Sequence, residues 1–203
     1  MKLYFSPGAC SLSVRILLHE MNLNSEYIEV DLKTKKTSQG EDYFKINPKG
    51  GVPALLTDNN ELLTENAAIQ QYLTTLDNAQ QLLPSSADFS RFRVLEWLSY
   101  VSSDVHKSFG PLFDVRVPDD VKSNIFIPNL KNKLNYIDSQ LLNKSYLMGE
   151  TFTLPDAYLF VVLRWLRKFK IDLKDWPNLD KSFALVKARQ SVKQSLEEEG
   201  LLG

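Results

Sequence analysis

Apolar residues along the first 76 positions alternate between two spacings. Leu3-Tyr4-Phe5 is a short apolar run that reads as a strand. Val14, Leu17, Leu18 and Met21 then fall at i, i+3, i+4 and i+7, one face of a helix. Tyr27-Ile28-Glu29-Val30-Asp31 alternates apolar and polar like a strand. A polar stretch from Lys33 to Asp42 leads to a short helix around Tyr43-Phe44-Lys45-Ile46. Asn47-Pro48-Lys49-Gly50-Gly51 is a strong breaker before Val52-Pro53-Ala54-Leu55-Leu56. Asp58-Asn59-Asn60 reads as a hairpin turn into Glu61-Leu62-Leu63-Thr64. Ile69, Tyr72, Leu73 and Leu76 return to helical spacing. The predicted order is βαβ, then a loop or helix, then ββα.

The pattern changes after Leu76. Asp77 to Asp88 is polar, holds Pro84-Ser85-Ser86 and reads as a linker. No convincing strand follows. Val94, Trp97, Leu98, Val101 and Val105 mark a long helix, and another runs from about Asp119 to Leu142. Thr153-Leu154-Pro155-Asp156 opens a third, with Thr153 as N-cap, Pro155 in the first turn and Asp156 as the box acid. Phe152 stands at the staple position before the cap. Asp180 to Glu199 is also predicted helical. The expected architecture is a mixed α/β domain, residues 1–80, followed by an all-helical domain, residues 87–203. There is no internal repeat and no low-complexity segment.

At 203 residues and 43% apolar content the chain can bury a substantial core. A net charge of −1 does not suggest nucleic acid as a partner. Residues 1–80 carry 7 Lys and Arg against 10 Asp and Glu, and residues 81–203 carry 17 against 15. That asymmetry is too small to imply a charged partner. One cysteine rules out an intrachain disulfide framework, and one cysteine with two histidines makes a structural zinc site an unfavoured expectation. The chain opens directly on a strand pattern, and no apolar run approaches membrane-spanning length. A cytoplasmic location without a membrane partner is expected.

Four features are candidates for chemistry. Cys10 lies in Phe5-Ser6-Pro7-Gly8-Ala9-Cys10-Ser11, between a strand and a helix. A thiol at a helix start meets unpaired backbone N–H groups and the positive end of the helix dipole, which favour the reactive thiolate. The alternative is a small buried hydrophobe. Gly51-Val52-Pro53 either begins a strand in the ordinary way or, with a cis Val52–Pro53 bond, presents Val52 backbone groups to an extended peptide. Glu65-Asn66 starts a helix, where N–H groups bind carboxylates and Glu65 can hold an ammonium; simple capping also accounts for it. Ser99, Ser103 and His106 fall at i, i+4 and i+7 with Asp104 and Lys107 alongside, a shared helix face that carries a histidine able to titrate near neutrality, or a solvated face. His19, beside Glu20, is read as a surface residue without a role.

Together these segments resemble the cytosolic glutathione transferases, most closely the bacterial beta class. The resemblance lies in Met1 to Ser13, in Val30-Asp31-Leu32-Lys33-Thr34-Lys35-Lys36-Thr37 and in Ile46-Asn47-Pro48-Lys49-Gly50-Gly51-Val52-Pro53-Ala54-Leu55. Thr153-Leu154-Pro155-Asp156-Ala157-Tyr158-Leu159 and Trp176-Pro177-Asn178-Leu179 extend it to nearly the whole chain. The resemblance implies a thioredoxin-like N-terminal domain, an all-α C-terminal domain and a homodimer. It implies glutathione as co-substrate, no cofactor and no metal. Cys10 and His106 would be catalytic. Lys35 would neutralise the glycyl carboxylate, Val52 held by cis-Pro53 would pair with the cysteinyl backbone, and Glu65 and Asn66 would hold the γ-glutamyl end. Ser99, Ser103, Asp104, Val105 and His106 would add contacts from the helical domain, Asp104 toward the glutathione of the other subunit. Phe5 stands where tyrosine is frequent, Asn66 where serine is usual and Ser99 where asparagine is frequent, and Gln190 follows Arg189 where proline is common.

The implied reaction is attack of the glutathione thiolate on a small hydrophobic electrophile. A free thiol titrates near ~8.5, so lowering it by one or two units multiplies the nucleophile about tenfold or more at neutral pH. Cys10, if a thiolate, adds thiol-disulfide exchange. The acceptor wall is expected near Pro111, Phe113 and Trp165. The alternatives are a specialised dehalogenase or isomerase, and a non-enzymatic ligand- or protein-binding member of the same fold.

Overall fold

The computed structural model describes residues 1–76 and 79–202. Asp77, where the expected linker begins, and Gly203, the expected domain end, lie outside the described residues. By contact the chain divides into two units, Met1–Gln80 with Ala188–Gly203, and Gln81–Lys187.

In the first unit, β1 (Lys2–Phe5), β2 (Glu26–Asp31), β3 (Lys36–Thr37), β4 (Ala54–Leu56) and β5 (Leu62–Thr64) form one sheet in the order β3-β2-β1-β4-β5. β1 and β2 are parallel, and the other neighbours are antiparallel. A parallel pair needs a crossover, which α1 (Leu12–Glu20) supplies. The helices α2 (Tyr43–Ile46) and α3 (Asn66–Leu76) complete the predicted order. β3 lies inside the stretch read only as polar; two residues are too few for alternation to register.

Successive side chains of β1 leave opposite faces of the sheet. Tyr4 joins Ile28, Val30, Tyr43 and Ala54 in one buried cluster. Leu3 and Phe5 are buried on the other face. The predicted stripe of α1 is buried too, with Val14, Leu17 and Leu18 fully so. Truncating one of these leucines to alanine costs ~2–5 kcal/mol at a site of this kind.

Arg15 interrupts that apolar helix and is only 3% exposed. Its guanidinium lies 4.2 Å from the Phe5 ring centroid and 3.9 Å from that of Tyr27. It pairs with Glu198 at 3.0 Å and Glu199 at 3.2 Å. Those acids stand at the end of α10 (Gln190–Glu198), which packs on α1. Residues 188–203 therefore group with the α/β unit, not with the helical domain expected at 87–203. Helical spacing shows that a segment has an apolar face, not which unit covers it. Nor are Asp180 to Glu199 one helix. They divide into α9 (Pro177–Lys187) and α10 at an extended Arg189, whose guanidinium pairs with Glu20. His19 is half-buried and not idle, with Nε2 2.9 Å from a Glu198 carboxylate oxygen.

The second unit is built of helices. α4 (Ser90–Tyr100) runs on through a wide π-helical stretch, Val101–His106. α5 (Gly110–Phe113) is short. The expected rod from Asp119 to Leu142 is α6 (Asp119–Val121), a second π-helical stretch (Lys122–Phe126) and α7 (Ile127–Gln140). The central helix α8 (Leu154–Arg164) has every residue from Leu154 to Leu163 buried. Its predicted start holds: the Asp156 carboxylate accepts from the Thr153 N–H at 2.8 Å, the Thr153 hydroxyl at 2.7 Å and the Leu147 N–H at 2.9 Å. Among the described residues, β-pairing in this unit is confined to an isolated Tyr146–Gly149 bridge, and no helix of the chain is long and apolar enough to cross a membrane.

Candidate functional site

Cys10 lies in the turn from β1 to α1, two residues before the helix begins. The turn is tight. The Ala9 N–H donates to Ser6 O at 3.0 Å, the Ser6 N–H donates to Ser11 Oγ at 3.2 Å, and Gly8 has a φ of +71°. Asn66, the first residue of α3, closes it from below. Its Nδ2 donates to Cys10 O at 2.8 Å, and its Oδ1 accepts from Gln70 Nε2 at 2.6 Å. The Ser13 hydroxyl lies 3.1 Å from that Oδ1 and 2.8 Å from Cys10 O. The Asn66 side chain, expected to reach a ligand, is thus committed to the backbone of the cysteine turn.

Cys10 Sγ donates to Val52 O at 3.2 Å, which joins the first two predicted features. The Val52–Pro53 bond is cis, as expected. The loop before it is braced throughout. Gly51 O accepts from Tyr43 Oη and from Asn47 Nδ2, each at 2.8 Å, and Gly50 O accepts from Lys35 Nζ at 2.8 Å. A Cβ on Gly50 would stand 2.6 Å from the Phe44 ring, so the close approach there requires glycine. Lys35 therefore makes a bond within the chain, and its ammonium has two further protons to donate.

Of the two readings of Cys10, burial favours the protonated thiol. Burial pushes the thiol up to about 11, against smaller downward effects of the Asn66 amide and the Cys10 and Ser11 N–H groups; the Glu65 charge adds to the rise. At pH 7 the thiolate fraction is then ~10⁻⁴. The helix begins only at Leu12, and desolvation outweighs the few donors within reach.

Glu65 is exposed, has a φ of +74°, and accepts from Lys49 Nζ. It already holds an ammonium, as its position suggests. A glutamate held in the left-handed region is a strained, function-like feature.

Within the helical unit, Ser99 and Ser103 lie one turn apart and are exposed, and the Ser103 hydroxyl donates to Ser99 O at 2.9 Å. His106 is half-buried, with Nδ1 2.6 Å from Tyr158 Oη. Val105 is fully buried, which corrects its expected ligand contact. Asp104 lies 3.6 Å from Lys133 Nζ, an ion pair within the chain. Burial, with the Lys107 charge, lowers His106 to about 4, so it is neutral at pH 7 rather than titrating there. Trp165 packs on it at 4.9 Å and continues into Phe109 and Phe113. Of the suggested acceptor-wall residues, Phe113 keeps 42% of its surface exposed and Trp165 is 8% exposed. A separate open cavity of about 450 Å³, lined by Arg93, Glu96, Trp97, Tyr100, Tyr136 and Gln140, includes none of the expected residues.

Four partners escape sequence reasoning: Ser13, Gln70, Tyr158 and Glu199. Gln70 carries a faint signal, one helical turn after Asn66. Among the described residues, no group of three or more His, Cys, Asp or Glu side chains is arranged to hold a metal ion.

Comparison with known proteins identifies the arrangement. The family model for the glutathione S-transferase N-terminal domain matches residues 7–76, and that for the C-terminal domain matches residues 125–189. The chain is 40% identical to the glutathione S-transferase GstA of Escherichia coli O157:H7 over 201 residues, covering 99% of this chain and 100% of that one. A sphingomonad glutathione S-transferase solved in complex with glutathione superposes with a TM-score of 0.94 at 39% identity, over 99% of this chain and 100% of the other. A bacterial beta-class enzyme from Sphingomonas chungbukensis gives the same TM-score and identity over 100% of both chains. The chain belongs to the glutathione S-transferase family.

Proposed function

We propose that the chain conjugates glutathione to small hydrophobic electrophiles through a site centred on Cys10 and Val52. The carrying observation is the Cys10 Sγ to Val52 O hydrogen bond, which sets a thiol beside backbone groups able to pair with an extended peptide. Glutathione would pair with Val52, held by Pro53. Its γ-glutamyl ammonium would take the place of Lys49 on Glu65, its α-carboxylate would meet the N–H groups at the start of α3, and Lys35 would meet the glycyl carboxylate.

The protonation state of Cys10 defines its part. A thiol held near 11 stays protonated beside a glutathione thiol whose ordinary value is ~8.5, so the proton remains on Cys10 and the negative charge on the substrate sulfur. Cys10 would then donate to the glutathione thiolate as it donates to Val52 O in the free chain. His106, neutral and paired with Tyr158, would act as a hydrogen-bonding group and not as a cation. The apolar electrophile is assigned to the aromatic surface at Phe113. Ser99, Ser103 and Asp104 would contribute polar contacts, with Asp104 first giving up Lys133. We further propose a cytoplasmic homodimer that needs no cofactor, supported by family membership.

Exchange with glutathione disulfides is the second reading, favoured by the cysteine itself but slowed by its small thiolate fraction. Cys10→Ala separates the two: conjugation persists at a reduced rate while disulfide exchange disappears. Loss of conjugation with exchange intact overturns the assignment.

A further inference from the structure

The turn that carries Cys10 is also gripped by the end of the chain. The Gly8 N–H donates to Glu199 Oε2 at 2.8 Å, and the Glu199 side chain is fully buried. The other carboxylate oxygen lies 3.2 Å from Arg15 Nε. Arg15 is itself fixed between the Phe5 and Tyr27 rings. Beyond Glu199 the chain reverses at Gly200, with a φ of +66°, and the Leu201 N–H bonds Leu196 O at 2.7 Å. This helix-closing turn lays Leu201 on the cysteine turn: a Cβ built on Gly8 would meet Leu201 Cδ1 and Cδ2 at 3.8 Å. A polar and an apolar contact thus converge on Gly8, two residues before Cys10.

Charge balance alone does not explain this arrangement. Glu198 already gives Arg15 a carboxylate at 3.0 Å, so a second acid is not needed to neutralise the buried guanidinium. What Glu199 adds is an acceptor for the Gly8 N–H. We propose that Glu199 is a positioning residue for Cys10: through Gly8 it fixes the Ser6–Cys10 turn, and with Leu201 it sets how deeply the thiol is held. The relevance to catalysis rests on the proposed place of Cys10 beside the glutathione sulfur; the contact itself does not.

The test is the alkylation of Cys10 by iodoacetamide without glutathione, followed from neutral to strongly alkaline pH. Loosening the turn hydrates the thiol, and each unit by which its titration falls makes it about tenfold more reactive below that point. Glu199→Ala is expected to alkylate about tenfold faster at pH 8, and Leu201→Ala to shift in the same direction. Glu199→Gln, whose side-chain carbonyl can still accept from Gly8 while its NH2 group faces Arg15 Nε, falls between wild type and Glu199→Ala. Glu198→Ala, which weakens the Arg15 pair without touching Gly8, stays near the wild-type curve. Leu201→Ala leaves no buried charge unpaired and carries the test alone if Glu199→Ala does not fold. Wild-type alkylation curves for Glu199→Ala and Leu201→Ala overturn the proposal, as does an equal acceleration in Glu198→Ala. Because glutathione is absent, these outcomes stay separate from whether the wild-type chain conjugates it.

Discussion

Asn66 Nδ2 donates to the carbonyl oxygen of Cys10 at 2.8 Å, tying the start of α3 to the turn that ends β1. The amide orders the cysteine from behind, with its own oxygen satisfied by Gln70. Asn66→Ala removes one of the donors to the Cys10 carbonyl, which keeps the Ser13 N–H and hydroxyl, and one of the acceptors of the buried Gln70 amide, which keeps the Ser13 hydroxyl, and is expected to cost ~1 kcal/mol in urea unfolding. Asn66→Asp is isosteric but sets a carboxylate against that carbonyl, so it should cost more than alanine. Wild-type stability of the aspartate variant would contradict the donor role.

Cys10 in the free chain should behave as a poor nucleophile. With the thiol near 11, alkylation rises about tenfold per pH unit above neutrality and shows no plateau below about pH 10. A plateau near pH 8 would show that the thiol is not held by burial.

His106 links pH to stability in the opposite direction. Its folded value, about 4, lies below the ordinary 6.5, so the unfolded chain binds a proton between these values and the folded chain does not. The stabilisation is present above pH 6.5 and is lost as pH falls toward 4, by at most roughly 3 kcal/mol. His106→Gln should flatten that slope in urea unfolding at pH 4.5, 5.5 and 6.5. An unchanged slope would assign the acid sensitivity to other groups.

Glu65 should separate stability from binding. Its φ of +74° suits glycine, and its side chain makes an exposed bond to Lys49 worth less than ~1 kcal/mol. Glu65→Gly is expected to keep or slightly raise the melting temperature while raising the glutathione KM about tenfold or more. An unchanged KM would remove Glu65 from the ligand site.

Much of this molecule is written in local pattern. The strand–helix alternation before Leu76 and the Thr153–Asp156 box follow from short spacings, whereas the cis Val52–Pro53 bond is implied only by the family resemblance. What escaped depends on distant partners. The turn at Cys10 looks like a thiolate site until the burial around it is counted. Val105 is buried on the apolar stripe that its spacing predicts, and the bond from His106 to Tyr158 joins residues 52 positions apart. Glu199 meets Gly8 across 191 positions, a pairing that no local periodicity records.

The most direct test is the rate of glutathione conjugation to chlorodinitrobenzene by the purified chain near neutral pH. The account predicts a rate well above the uncatalysed reaction, saturable in glutathione and weakened by Glu65→Gly. A rate equal to the uncatalysed background, together with no calorimetric binding of glutathione, would contradict it.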